Sequence, residues 1–202
     1  MSVVVLYPGY LTGPSHMRKM KFRLASEGHS VYDWTLEYNT GMSHVVFKKL
    51  SEQLRLLHDT YESPITVVGH SLGGSMARAM CYGDGDIIDH VITIGSPINN
   101  IRESLAEFKA ATDLRNGSVS SPEEWEEYLT MASHQPEGKC TSIWSPDDKV
   151  VPWTQSLIKP DDGNNIVVEG KHLKLPRLKH VQDVVSQLLV EDLPCQVYNI
   201  RT

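Results

Sequence analysis

The chain has 202 residues, of which 40% are hydrophobic and 22% are charged, and its formal net charge at pH 7 is −6. This length and composition are typical of one globular domain and exclude disordered, collagen-like and disulfide-scaffold proteins. The negative charge disfavours a nucleic-acid-binding surface, which needs basic residues to displace counterions. We therefore expect a single domain over residues 1–202 that does not bind nucleic acid.

The cysteines and the N-terminal sequence indicate the cellular compartment of the protein. Cys81, Cys140 and Cys195 are an odd number without C-x-x-C spacing, which is typical of free thiols rather than of disulfides or a zinc site. The apolar run that begins at Val3 follows no basic residue and is too short for a signal peptide or a membrane span. The sequence thus predicts a cytoplasmic protein without stable membrane insertion.

Strand and helix patterns alternate along residues 1–100. Short apolar runs rich in β-branched residues predict buried strands at Val3–Tyr7, at Val31–Leu36, from Ile65 onward and at His90–Ile94. The segments between them predict helices over Pro14–Glu27, from the N-cap Ser43 onward and after Ser71, with a turn at residues 83–86. This order predicts a parallel sheet with helices on both faces.

The pattern changes over residues 98–139, where two charge-rich helical segments are predicted. The first carries Ile101, Leu105 and Phe108, the second carries Trp125 and Leu129, and residues 116–122 link them. Because this region is too short for a core of its own, we expect an insertion over the sheet edge rather than a second domain. Strands are predicted again at 140–144 and 165–168, followed by a helix over residues 181–189.

Residues 65–78 predict a strand, a tight turn and a helix arranged around Ser71. The turn carries the G-x-S-x-G pattern from Gly69 to Gly73, whose small residues let neighbouring backbone segments approach closely. There the Leu72 N–H and the positive end of the helix dipole would face an anion formed beside Ser71. A serine in this place could simply cap the helix, but the strand–turn–helix context favours a nucleophile.

A serine nucleophile needs a base to take its proton and a third group to orient that base. Two later stretches offer these groups, each at the end of a predicted strand. Residues 144–153 carry Asp147 and Asp148, and residues 167–173 carry His172. His180, eight residues after His172, falls inside the last predicted helix, which favours His172 as the base.

These motifs resemble those of the α/β-hydrolase superfamily, in particular its small bacterial-type lipases and esterases. The resemblance rests on Pro8-Gly9-Tyr10, the turn at 69–73, Gly95-Ser96-Pro97, Asp148 to Pro152 and Gly170-Lys171-His172, and it spans residues 3 to about 190. It implies an α/β-hydrolase fold with a reduced, mostly parallel sheet of about six strands, without the two extra leading strands of larger hydrolases. The similarity in position between residues 98–139 and the inserts of related hydrolases also implies a helical cap or lid.

The resemblance also implies roles for individual residues. Ser71 would be the nucleophile, His172 the general base and Asp148 the acid. Asp148 is preferred to Asp147 because the acid of this family typically stands four positions before the proline of this turn, here Pro152.

In resembling enzymes the second donor of the oxyanion hole follows a His-Gly pair after the first strand. The corresponding pair here is Pro8-Gly9, which implies the Tyr10 N–H as the partner of the Leu72 N–H, with Leu11 as the alternative. Substrate contacts are expected from Leu11, His70, Trp125 and Val151. Trp125 could equally be the packed underside of an amphipathic helix.

The remaining histidines, His16 among them, show no metal-ligand spacing, and their expected place is the surface or the core. The sequence thus predicts a serine hydrolase that cleaves small-molecule carboxylic esters through an acyl-enzyme, without metal or organic cofactor. Two alternatives stay open: an acyltransferase or amide hydrolase that uses the same triad, and a non-catalytic binding module on the hydrolase fold.

Overall fold

The computed structural model of the chain describes residues 1–106, 109 and 121–191, and it contains one six-stranded sheet. The strands are β1 (Val3–Tyr7), β2 (Ser30–Asp33), β3 (Ile65–His70), β4 (Ile88–Ile94), β5 (Lys139–Trp144) and β6 (Asn164–Val167). Their order across the sheet is β2-β1-β3-β4-β5-β6, and every neighbouring pair is parallel. The predicted reduced parallel sheet is confirmed, and the carboxyl ends of all its strands lie at one edge.

Helices cover both faces of this sheet, as predicted. They are α1 (Pro14–Ser26), α2 (His44–Tyr61), α3 (Leu72–Asp84), α4 (Pro122–Ser133) and α5 (Lys179–Leu188). Short 3-10 helices cover Trp153–Ser156 and His172–Arg177, and residues 101–106 are helical as well. Among the residues described, no helix has the length and apolar character needed to cross a membrane.

The alternation of side chains along β1 divides the core into two layers. Val3, Val5 and Tyr7 pack with the buried residues of α2, α3 and α4, whereas Val4 and Leu6 pack with those of α1 and α5. Successive side chains of a strand point to opposite faces, so a strand covered on both faces is apolar at every position. This explains the unbroken apolar run at the start of the sequence.

Several predicted boundaries differ from the structure, and for two of them tertiary contacts give a reason. The strand predicted to reach Leu36 ends at Asp33, because Trp34 turns into the core and packs 6.3 Å from the Tyr7 ring. Helix α3 extends two residues into the turn predicted at 83–86 and ends at Asp84, whose buried carboxylate pairs with Arg55 at 2.7 Å; the turn itself covers residues 85–87. This ion pair to α2 holds the last turn of α3 in place.

The inserted region is described in part. Helix α4 packs against α3 and begins with a capping box, in which the Ser121 hydroxyl accepts the Glu124 N–H and the Glu124 carboxylate accepts the Ser121 N–H. Phe108 and most of the predicted link at 116–122 lie outside the described residues. The cap or lid role of residues 98–139 stays a prediction.

Candidate active site

Ser71 lies at the sharp turn between β3 and α3, where its backbone adopts φ 53° and ψ −128°. Residues other than glycine rarely have positive φ, and such strain persists only when the surroundings enforce it. Here the Ser71 N–H donates to the Ile94 carbonyl at 2.9 Å, which ties the turn to β4. The strained geometry is the one that the G-x-S-x-G turn predicts.

The glycines of this turn are required by close backbone contacts. A Cβ on Gly69 would lie 2.5 Å from the Gly73 backbone, and a Cβ on Gly73 would lie 2.5 Å from the carbonyl oxygens of Tyr7 and Pro8. No side chain fits at either position unless the backbone moves. Helix α3 is therefore pressed against the end of β1, and Ser71 is held next to the loop that follows β1.

We expect Gly73→Ala to lower the free energy of unfolding by at least about 2 kcal/mol, because the added methyl would overpack rigid backbone. Gly83→Ala is the matched control in the same helix. A Cβ at the exposed Gly83 meets nothing within 4 Å, so this change should raise stability by about 0.5 kcal/mol. Urea denaturation of both variants tests the difference in sign, and equal effects would contradict the packing argument.

The structure brings Ser71, His172 and Asp148 together at the carboxyl edge of the sheet. His172 Nε2 lies 3.0 Å from Ser71 Oγ, and His172 Nδ1 lies 2.6 Å from Asp148 Oδ2. All three side chains are buried. Because an ionised carboxylate can only accept, Nδ1 carries the proton, which leaves the Nε2 lone pair free to take the proton of the serine hydroxyl.

Backbone amides hold the Asp148 carboxylate in place. Its Oδ1 accepts the N–H groups of Val150 at 2.8 Å and Val151 at 2.9 Å, so Oδ2 is directed at the imidazole. The neighbouring Asp147 is exposed, and its backbone N–H donates to Ser145 Oγ. The structure thus brings Asp148, and not Asp147, to His172.

His180, the alternative base, lies away from Ser71 in α5. Its Nε2 is 2.9 Å from the Glu169 carbonyl oxygen. His172 instead begins the 3-10 helix after β6, at the same sheet edge as Ser71.

The loop after β1 lies directly against the nucleophile. A Cβ on Gly9 would be 3.1 Å from Ser71 Cβ, so the backbone here contacts the serine. The Leu11 N–H donates to the Asn39 carbonyl at 2.7 Å, which argues against Leu11 as the donor, and the Tyr10 N–H stays the predicted donor from this loop. Leu72 is the first residue of α3, and N–H groups in the first turn of a helix have no intrahelical acceptor.

The four residues expected to contact substrate have different surroundings. Leu11 is 41% exposed next to the Gly9 turn, whereas His70 and Val151 are buried. Trp125 is half-buried, packs edge-on to Tyr128 with ring centroids 6.5 Å apart, and has the Lys109 ammonium 5.6 Å from its ring. The contacts of Trp125 are thus with Tyr128 of its own helix and with Lys109. The substrate roles of all four residues stay predictions.

Two buried histidines, His70 and His16, lie beside His172, and the sequence did not predict that His16 would lie at this site. The His70 ring centroid lies 4.8 Å from that of His172 and 5.0 Å from that of His16. His70 Nε2 is 3.1 Å from the His172 carbonyl oxygen and must donate to it. The only local signal for His16 is its place beside Met17 on the buried face of α1.

Burial, with the nearby Arg177 and His172, lowers the pKa of His16 to about 4. Below pH 6.5 the unfolded chain binds a proton at His16 that the folded chain binds only below about pH 4, so stability falls as the pH falls across this range. From pH 7.5 to pH 5 we expect His16 to account for a loss of about 2 kcal/mol. His16→Gln should remove that part of the pH dependence of the free energy of unfolding measured by urea denaturation. The same pH dependence in His16→Gln and in wild type would contradict this expectation.

Among the described residues, no group of three or more His, Cys, Asp or Glu side chains is arranged to hold a metal ion. The groups that the structure brings together around Ser71 are a hydroxyl, an imidazole, a carboxylate and backbone amides.

Comparisons with known proteins found one matching family model. The family model "Lipase (class 3)" matches residues 14–100, which include the Ser71 turn. No curated protein matches the chain at a significant level.

Similar solved structures are α/β-hydrolases. Est1E from Butyrivibrio proteoclasticus has 15% identity and a TM-score of 0.63, with 94% of this chain and 87% of that chain covered. An extracellular α/β-hydrolase from a Paenibacillus species has 14% identity and a TM-score of 0.60, with 94% and 98% covered. A thermophilic esterase from Thermogutta terrifontis has 14% identity and a TM-score of 0.60, with 94% and 89% covered.

Proposed function

We propose that the chain, whose fold is that of the α/β-hydrolases, is a serine hydrolase that cleaves carboxylic esters of small molecules through an acyl-enzyme. The observation that carries the proposal is the unbroken hydrogen-bond chain from Ser71 Oγ through His172 to Asp148. A buried chain of this kind, with the base in the accepting tautomer, is what activates a serine hydroxyl.

The proposed reaction uses only groups of this chain and water. His172 Nε2 takes the proton of Ser71 Oγ while the oxygen attacks the ester carbonyl carbon, and the ester oxygen becomes an oxyanion facing the Leu72 and Tyr10 amides. Asp148 stabilises the imidazolium that forms. The C–O bond then breaks, and the alcohol leaves with the proton from His172. Water next attacks the acyl carbon while His172 takes a proton from it. The bond to Ser71 Oγ breaks as His172 returns that proton to the serine, and the acid is released.

The names of similar proteins support esters as the substrate class. The matching family model is that of a lipase, and one of the similar structures is described as a thermophilic esterase. An amide hydrolase or acyltransferase would use the same groups, and competing alcohol or amine acceptors added to the assay would reveal transfer in the products.

We also propose a cytoplasmic location. Both cysteines in the described part of the chain, Cys81 and Cys140, are free and buried. Free thiols are usual in reducing compartments. Burial raises the pKa of the Cys81 thiol to about 12, which keeps it in the unreactive protonated form.

The proposal is tested by labelling with a fluorophosphonate and by hydrolysis of p-nitrophenyl esters from acetate to palmitate. We expect one label per chain, mapped by mass spectrometry to Ser71, with no label on Ser71→Ala. Ser75→Ala is the matched control, since it removes another buried hydroxyl of α3 and should keep both label and turnover. A folded wild type that neither binds the label nor hydrolyses any ester would overturn the proposal in favour of a binding module.

A further inference from the structure

Asn39 lies in the connection between β2 and α2, far along the chain from the triad, yet it contacts the loop beside Ser71. Its side chain has no exposed surface. A fully buried amide is costly unless its donor and acceptor are both paired. The hydrogen-bond partners of the Asn39 side chain therefore indicate its function.

The hydrogen bonds of Asn39 go to the loop formed by residues 8–12 and to its own turn. Its Nδ2 donates to the Pro8 carbonyl at 2.7 Å, its backbone N–H donates to the Thr12 carbonyl at 2.9 Å, and its carbonyl accepts the Leu11 N–H at 2.7 Å. Its Oδ1 accepts the Gly41 N–H at 3.1 Å, which fixes Asn39 itself in an Asx turn. One residue thus binds both ends of the loop after β1.

These bonds fix the orientation of the peptide groups around Tyr10. The Gly9 carbonyl accepts the Thr12 N–H at 3.0 Å and the Thr12 hydroxyl at 2.7 Å. In a planar trans peptide the N–H points opposite to the C=O, so this also sets the direction of the Tyr10 N–H. The next peptide is held through its Leu11 N–H by Asn39, which keeps Leu11 in the unfavourable left-handed region at φ 57°.

We propose that Asn39 is the positioning residue of the oxyanion loop, which holds residues 8–12 so that the Tyr10 amide faces the oxygen of the tetrahedral intermediate. This inference rests on the proposed function. Preorganised donors stabilise a transition state because they need no reorganisation during the reaction. Asn39 does so without touching the substrate.

The test compares Asn39→Asp with wild type. The aspartate keeps an acceptor for the Gly41 N–H but places an oxygen against the Pro8 carbonyl, which repels the loop. Asn39→Ala is the second variant and removes both side-chain bonds without repulsion. Asn165→Asp is the matched control, because the Asn165 amide also bridges the backbone, at Ile158 N–H and C=O, outside the Ser71 site.

Turnover is measured per active site, titrated with the fluorophosphonate, so that misfolded enzyme does not count. We expect kcat to fall about 10²-fold in both Asn39 variants, with KM within about threefold of wild type. The dissociation constant of a boronic acid inhibitor, whose adduct places an oxygen in the oxyanion hole, should rise by the same factor. Asn165→Asp should leave both quantities within about twofold of wild type.

A purely structural role for Asn39 would lower the number of titrated sites or the Tm but leave kcat per site and inhibitor affinity unchanged, and that result overturns the inference. Amide hydrogen exchange gives a readout that needs no activity. The Leu11 amide should exchange at least about tenfold faster in Asn39→Asp than in wild type or Asn165→Asp. If wild type proves inactive, the esterase proposal fails, and unchanged Leu11 exchange would separately show that Asn39 does not hold the loop.

Discussion

Replacing His172 by alanine is expected to lower kcat for a p-nitrophenyl ester by about 10⁶-fold, the scale seen when a serine hydrolase loses its base. Without the imidazole, the Ser71 hydroxyl has no acceptor 3.0 Å away to take its proton. The alcohol product also loses its proton donor. The loss is measured by continuous absorbance at an enzyme concentration high enough to detect the residual enzymatic rate above the uncatalysed background.

His180→Ala is the matched control for that change. His180 bonds to the Glu169 carbonyl and not to the serine, so its removal should change kcat by less than about threefold. If His180→Ala is the inactive variant and His172→Ala the active one, the assignment of the base is wrong. Fluorophosphonate labelling should fail in the same variant that loses turnover.

Asp148→Asn is expected to lower kcat about 10⁴-fold while leaving the fold intact. The asparagine oxygen can still accept the Val150 and Val151 amides, which leaves its NH₂ group facing His172 Nδ1. The imidazole must then accept at Nδ1 and carry its proton at Nε2. In that tautomer Nε2 points an N–H at Ser71 and has no lone pair to take the hydroxyl proton.

Asp147→Asn removes the same charge one residue earlier in the same turn. Because Asp147 is exposed and its side chain is not bonded to His172, kcat should stay within about threefold of wild type. Equal decreases of kcat in Asp147→Asn and Asp148→Asn would mean that catalysis depends on the negative charge of the turn rather than on the tautomer of His172. A normal rate for Asp148→Asn would remove Asp148 from the mechanism.

Much of the fold could be predicted because its signals are local. The unbroken apolar run at 3–7 requires a strand covered on both faces, and the Ser43 cap with its periodic apolar residues defines α2. The Ser71 turn was readable because glycine is the only residue that its backbone contacts admit. Each of these features is determined within about twenty residues of sequence.

The features that were missed depend on residues far apart in the chain. The contacts of Asn39 could not be predicted, since nothing in residues 39–41 shows that the loop at 8–12 will lie against them. The end of α3 was misplaced for the same reason, because Arg55 of α2 is what stabilises Asp84. The choice between Asp147 and Asp148 needed the family pattern, since local chemistry treats the two carboxylates alike.

During synthesis the N-terminal part of a chain emerges first, and the strand order lets this sheet grow outward at one edge. Once β3 has joined β1, each later strand pairs with the one before it. The Ser71 turn is complete when β4 supplies the Ile94 carbonyl, whereas the acid and the base follow β5 and β6. The proposed triad is therefore complete only when the segments that follow the last two strands have been synthesised, because Asp148 follows β5 and His172 follows β6.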